Sequence, residues 1–402
     1  MKTTTSNKFF TIFSKLRAIP PAGSSLSPFS LFPEIFYLSN TLKLQIRSLF
    51  PNHEIYFLNS GKAALQLVLE AIRFTSGRNS ILMSAYTCPD IAMAAIRSNC
   101  KIALFDIDEK NMQPKSEIFF SSINPEEIAS IIFSNLYGIP DRIPADLPKG
   151  VYVIDDACQS ALSHRENSPL GVSDTHIGIY SFGRGKAFSS AGGGILIVPR
   201  TDIPGKELYF SNVHRELKNI YTELDKENYI DSILYFIKMS LLWIFEKPLF
   251  FWIALLIPML KIGETKVQLT FSTRRPSRIT LAAMLACLKR KDQRTKMLKK
   301  ILRRYPDSLT SHINQESVHT RFPILLSEEK KKSILKNKRH RKLGISGSYP
   351  KTIDKYPEIN PHIIKNTTPC QGAENIAKKI LTLPVHNYVK DNDIIKIINL
   401  LY

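Results

Sequence analysis

Three short stretches of this 402-residue chain carry side chains that could do chemistry together. The first is VIDDACQSA, in which Asp155 and Asp156 close an apolar run. A carboxylate at the carboxyl end of a strand can reach a ligand in the crevice beyond the sheet. Set against a pyridine nitrogen, it keeps the ring protonated, so that a ring such as that of pyridoxal phosphate (PLP) can draw electrons from a carbanion. Side chains alternate along a strand, so only one of the two acids should face such a ligand. Alone, the pair also reads as a surface turn or a helix N-cap.

The second stretch is SFGRGKAFSSAGGG, where Ser181 and Lys186 flank a glycine-bearing turn. A hydroxyl and free N–H groups in such a loop can cradle a phosphate. A lysine held out of water can lose its proton and form a Schiff base. The spacing is not that of a P-loop, since no GxxxxGKS or GxxxxGKT occurs here. The third stretch, NSGKAAL, puts Ser60, Gly61 and Lys62 where a helix begins. A helix start offers unpaired N–H groups and the positive end of a dipole, which suit a phosphate. It is also what an ordinary N-cap at Ser60 looks like.

These stretches need a scaffold, and from about residue 54 the chain supplies one. EIYFL, SILMS, KIALFDID, IASIIF, VYVID, THIGIYSFG and GGGILIV read as strands. Helical patterns stand between several of them, and the one after NSGKAAL is amphipathic, with Leu65, Leu69 and Ile72 on one face. The pattern predicts an α/β fold with a mostly parallel sheet covered on both faces. Ser60, Tyr86, Asp156 and Ser181 fall at strand ends, where ligands bind in such sheets.

Four segments follow: an irregular arm with short helices over 1–50, a large α/β domain over 51–231, an apolar stretch over 232–262, and a C-terminal part over 263–402. The last opens on one long helix over 277–303 and continues as a smaller α+β domain, in which EEKKKSILKNKRHRK forms a helix ending near Gly344. The apolar stretch, SILYFIKMSLLWIFEKPLFFWIALLIPMLKI, is broken at Glu246-Lys247-Pro248. Each half is shorter than the roughly 20 residues a spanning helix needs. A two-helix hairpin fits, resting either in a membrane interface beside Lys238, Lys247, Lys261 and Lys266 or in a dimer seam.

The net charge of +20 suits phosphorylated metabolites, anionic lipid or simply a solvated basic face. No nucleic-acid-binding signature accompanies it, so no nucleic-acid partner is expected. Five widely spaced cysteines, without a CxxC pair, speak against a disulfide framework or a zinc site and for a reducing cytoplasm. The N-terminus lacks the continuous apolar core of a signal peptide.

Taken in order, NSGKAALQLVLEAI, SAYTCPDIAMAAI, IALFDID, NLYGIP, VIDDACQSAL, LGVSDTHIGIYSFGRGKAFSSAGGG and AENIAKKILTLPVHNYV resemble the DegT/DnrJ/StrS aminotransferases, PLP enzymes that make amino sugars. The resemblance runs from about residue 53 to the end. It implies the PLP-dependent transferase fold of type I, with a seven-stranded sheet and a small C-terminal domain. It implies that Lys186 bonds to the cofactor and shuttles the proton, that Asp156 pairs with the pyridine nitrogen, and that Gln159 approaches the ring's 3-oxygen. Ser181 would hold the phosphate with the backbone N–H groups of Gly61 and Lys62, beside Ser60, and Tyr86 would stack on the ring. It further implies a homodimer, an amino-acid donor (glutamate) and a keto-sugar acceptor, nucleotide-linked, in amino-sugar or surface-polysaccharide biosynthesis. A lipid-linked sugar is the variant suggested by 232–262.

The chain departs from the family pattern in places. Lys62 stands where Thr or Ser is common. SFGRGK replaces SFHxxK and brings Arg184 near the lysine loop. STRRPSR replaces an Asn-bearing segment that reaches the partner subunit, so Arg275 or Arg278 would take over that contact. These departures keep a second reading open, a PLP-binding regulator or scaffold without turnover. The family's dehydratase branch, which carries histidine in place of the lysine, is disfavoured by Lys186. The expected location is the cytoplasm, with peripheral attachment to the inner face of the membrane through 232–262.

Overall fold

The computed structural model describes residues 17–120, 123–201, 207–256, 267, 270–310, 317–365 and 369–402. Expectations that fall on 1–16 and 257–266, including Lys261 and Lys266, lie outside the described residues.

Seven strands form one sheet: β1 (His53–Leu58), β2 (Ser80–Ser84), β3 (Lys101–Phe105), β4 (Ile128–Phe133), β5 (Tyr152–Asp156), β6 (Ile177–Ser181) and β7 (Gly194–Pro199). Their spatial order is β1-β7-β6-β5-β4-β2-β3. The pairs β2/β3, β2/β4, β4/β5 and β5/β6 are parallel. β7 runs antiparallel to both neighbours, β1 and β6. Strands β2, β4, β5 and β6 are buried along their whole length, as expected of strands covered on both faces.

Alternation of side chains feeds two cores. In β7, Leu196 and Val198 enter the core beneath the helices, whereas Ile195 and Ile197 enter the opposite one. The first core is closed by α2 (Gly61–Ser76), α3 (Pro89–Arg97) and α4 (Glu207–Glu223). The second holds α1 (Ser39–Arg47), in the N-terminal arm, and α7 (Arg278–Lys289). Between α4 and α7 come α5 (Tyr229–Phe245) and α6 (Pro248–Leu256). Beyond α8 (Lys291–Leu302), a two-stranded antiparallel sheet pairs β8 (Arg321–Leu325) with β9 (Ile380–Pro384). α9 (Glu328–Lys336), α10 (Gln371–Lys379) and α11 (Asp391–Leu401) accompany it.

Helix α2 is amphipathic as expected, with Lys62, Gln66, Glu70 and Arg73 in one row, yet from Gly61 to Ile72 all but Lys62 and Glu70 are buried, because α2 is covered by the sheet, α3 and α4. Two local expectations are corrected. The long helix over 277–303 is two helices, since Arg290 leaves helical geometry (φ −99°, ψ 10°). Its guanidinium donates back to the Ala286 carbonyl, and that of Arg294 donates to the Ser24 carbonyl at 2.6 Å, so contacts with the arm accompany the turn. The helix expected to end near Gly344 stops at Lys336, where extended Asn337 accepts from Arg339 N and starts a separate turn, Lys338–Arg341.

The arm is tied down by backbone bonds: Ile19 N–H donates to the Lys342 carbonyl and Leu26 N–H to that of Ser189. His386, just past β9, donates Nε2–H to the Pro20 carbonyl at 2.9 Å. Burial pushes its pKa down to about 4. A depressed folded pKa contributes stability that is complete above the unfolded value of about 6.5 and fades as pH falls through about 4. The thermal midpoint is therefore expected to drop across this window, by up to about 3 kcal/mol in stability. Scanning calorimetry of His386→Gln should show a shallower drop.

Candidate active site

Alternation at the end of β5 separates the two acids. The Asp155 carboxylate turns into the protein and accepts from Asn135 Nδ2, the Gly171 N–H and both terminal nitrogens of Arg165, at 2.7–3.1 Å. Asp156 faces the other way, and its Oδ1 accepts the Cys158 N–H at 2.9 Å. Burial raises the Asp156 pKa, opposed by the Lys186 ammonium nearby.

Lys186 lies in the turn between β6 and β7. Gly183 N–H donates to Ser181 Oγ at 3.4 Å, and Lys186 N–H to the Gly183 carbonyl at 3.3 Å. Gly185 takes φ +73°, a conformation glycine adopts without strain, and donates to Ser189 Oγ. The Lys186 carbonyl accepts from Arg294 at 3.4 Å. Burial works to lower the Lys186 pKa, but Cys88, Cys158, Asp156 and Asp90 outweigh it and hold the ammonium above its usual value.

Ser60 caps α2, its Oγ accepting Ala63 N–H at 3.1 Å. The backbone packs tightly here. A Cβ on Gly61 would stand 2.7 Å from Ser181 Cβ, and one on Gly194 would stand 2.2 Å from the Ser60 carbonyl oxygen. Glycines thus let the helix start, the β6 end and the β7 start converge. Ser60, Gly61, Lys62, Asp156, Ser181 and Lys186 all line one cavity of about 490 Å³. Lys62 reaches it with its charge engaged: Nζ bonds Asp90 at 2.8 Å and lies 4.6 Å from the Phe271 ring centre.

Tyr86 and Gln159 are not brought to this cavity. The Tyr86 hydroxyl meets that of Tyr137 at 3.2 Å and donates to the Tyr349 carbonyl, and its ring stands edge-on to Tyr349. Gln159 Nε2 donates to Tyr349 Oη at 2.9 Å, while its Oε1 accepts Tyr137 N–H. Both are anchored by the loop carrying Tyr349, and Cys88, two residues beyond Tyr86, lines the cavity in its place. Arg275, expected with Arg278 at a contact with the partner subunit, holds its guanidinium 6.0 Å from the Tyr221 ring centre. The cavity also takes Cys158 and Tyr235, which the sequence did not single out, and Lys238, which it marked only as a lysine beside an interface. Cys158 stands two residues past Asp156, a usable signal; Tyr235 sits within an apolar helix, where nothing marks it.

The residues present fit PLP. A carboxylate for the ring nitrogen, a lysine for the aldehyde, and a helix start with two serine hydroxyls for the phosphate share one cavity.

The sequence profile of the DegT/DnrJ/EryC1/StrS aminotransferase family matches residues 47–224 and 277–402, leaving the segment that holds α5 and α6 unmatched. No curated protein sequence matches the chain. Among solved structures, a PLP-dependent aminotransferase from Bacillus cereus superposes with a TM-score of 0.68 at 16% identity, covering 96% of this chain and 99% of its own. GDP-4-keto-6-deoxy-D-mannose-3-dehydratase from E. coli gives 0.69 at 14%, covering 96% and 100%. A sugar aminotransferase from Micromonospora echinospora gives 0.67 at 16%, covering 95% and 98%. At these identities the likeness carries the fold.

Proposed function

The chain belongs to the DegT/DnrJ/EryC1/StrS aminotransferase family of PLP-dependent enzymes, and from that premise we propose that it moves an amino group from glutamate to a keto-sugar carried on a phosphate-bearing group, a nucleotide or its lipid-linked variant. The observation behind this reading is that Lys186, Asp156 and the start of α2 line the same cavity.

PLP, when bound, supplies the sink for the electron pair left on the donor's α-carbon. The chain's own residues do the rest. Asp156, fixed by the Cys158 N–H, keeps a proton on the ring nitrogen. Ser181 and the N–H groups at the start of α2 hold the phosphate. Lys186 Nζ takes the proton from the donor carbon and returns it at a neighbouring position, the work of a positioned general base and acid. Tyr235 and Leu242 line the same cavity and keep water from the reacting carbon. Donor and acceptor use one site in turn, so ping-pong kinetics follow. A homodimer is part of this proposal, checked by light scattering.

The test is the half-reaction. The purified, yellow holoenzyme mixed with glutamate or glutamine should lose its cofactor band and release the matching 2-oxo acid. Unchanged spectra with both donors would instead favour a regulator that holds PLP without turnover.

A further inference from the structure

Helix α5 has two faces with different tasks. Tyr235, Lys238 and Leu242 line the active-site cavity. Ile230, Ile233, Leu234, Ile237, Leu241 and Ile244 form a stripe at helical spacing on the outside, each more than a third exposed and Ile230 reaching 65%. An outward face of a helix in water normally carries polar residues. The stripe does not stand alone. Trp243 packs edge-on against Phe29, which is 77% exposed, and Phe32 and Leu38 of the arm are each 70% exposed. A joined apolar surface of this kind marks an interaction site.

The geometry points away from a crossing helix. Among the described residues neither α5 nor α6 alone is long and apolar enough to cross a bilayer; the two together reach that length and composition, but they meet at 107°. Glu246, at the bend, is buried in protein: its carboxylate accepts from Ser25 N and Oγ and lies 3.5 Å from Arg184. The pair is an elbow fit to lie in an interface. Positive charge stands beside it. Lys247 Nζ lies 3.4 Å from the Trp243 ring centre. Ala18 N–H donates to the Pro248 carbonyl at the start of α6, and the adjacent Arg17, paired with Asp393 at 2.6 Å, borders a second cavity of about 640 Å³ whose other charged residues are Arg339, Lys342, Lys390 and Lys396. An anionic bilayer complements this surface. A second copy docked through a two-fold axis would set like charges against each other.

We propose that α5, with the α6 elbow and the Phe29–Leu38 arm, rests on an anionic membrane surface and opens the active site towards it, so that the acceptor is a keto-sugar joined through phosphate to a membrane lipid. This rests on the aminotransferase reading and names its acceptor class. Lys238, at the cavity wall with Glu227 nearby, is placed to meet the lipid's phosphate. The segment responsible lies in the part of the chain that the family profile leaves unmatched.

The full-length holoenzyme is sedimented with vesicles of phosphatidylcholine alone or of equal parts phosphatidylcholine and phosphatidylglycerol. Binding to the anionic vesicles is expected to be at least about tenfold tighter. The triple variant Ile233→Ser, Ile237→Ser, Leu241→Ser should lose that binding by about tenfold or more while keeping its cofactor colour and its glutamate half-reaction. With vesicles present, a keto-sugar on a prenyl diphosphate should be aminated faster than the same sugar on uridine diphosphate. No vesicle binding by the wild type, equal binding by the triple variant, or preference for the uridine diphosphate sugar would overturn the proposal. So would a dimer that the triple variant splits, because the stripe would then belong to a second copy. Failure of the glutamate half-reaction in a protein that binds vesicles would instead strike the aminotransferase reading.

Discussion

Alanine in place of Lys186 is expected to lower turnover by at least about a thousandfold and to leave the purified protein without covalently held cofactor. Two losses combine. The side chain is the lysine amine that this cavity offers a PLP aldehyde beside Asp156, since Lys62 is bound to Asp90 and Lys238 lies on the far element, α5. It is also the group proposed to carry the proton between donor carbon and cofactor, so free PLP added to the variant cannot restore turnover. Arginine should fail as well, because a guanidinium neither loses its proton nor adds to an aldehyde under these conditions. The check is borohydride reduction followed by peptide mass mapping. Wild type should carry the reduced cofactor at residue 186 and the variant should carry none. A variant that keeps a tenth of its activity would remove Lys186 from the mechanism and leave the cavity without its central group.

Much of this site was legible because its parts come from short contiguous stretches. The strand period alone divided Asp155 from Asp156, and the glycines around Ser60 and Ser181 are needed where three backbones converge. What the sequence could not convey comes from elements far apart in the chain. Tyr349 lies 263 residues beyond Tyr86, yet its carbonyl accepts from the Tyr86 hydroxyl and its own hydroxyl binds Gln159. Those bonds hold both residues off the cavity wall that the resemblance gave them. Density of apolar residues says less about direction: α2 is buried almost all round, whereas in α5 the apolar stripe faces outward, the arrangement that a hairpin resting in an interface needs. Composition reports how much apolar surface a helix has, while only packing decides where that surface points. The break at Arg290 belongs to the same class, since the residues it meets lie in the arm.

The largest expected effect on stability lies behind the site, at Asp155. Its carboxylate is 1% exposed and receives four hydrogen bonds, two of them from Arg165. Asp155→Ala would leave that guanidinium, the Asn135 amide and the Gly171 N–H facing a void, and breaking a buried pair in this way costs about 3–5 kcal/mol. Asp155→Asn keeps the shape and part of the hydrogen bonding, so it should cost less. The pH dependence separates charge from packing. Burial works to raise the Asp155 pKa, but Arg165, the Gly171 N–H and Asn135 outweigh it and hold it below the ordinary 3.8. A depressed carboxyl contributes stability that is present above the unfolded pKa and lost as pH falls through the folded one. The wild type's advantage over Asp155→Asn should therefore persist from neutral pH to about 4 and shrink below it. Asp141 is pushed up to about 6 by burial, with the Asp155 charge adding to the rise, so it acts in the opposite sense between pH 6 and 4 and does so less in Asp155→Asn; the Asp155 share is therefore read below pH 4, where Asp141 is protonated in both folded proteins. Urea unfolding of the three proteins at pH 7, 5 and 3.5 reads both effects. A loss under about 1 kcal/mol in Asp155→Ala at pH 7 would mean that Arg165 finds water at no cost, and that the end of β5, with Asp156 on it, is held in place by packing alone.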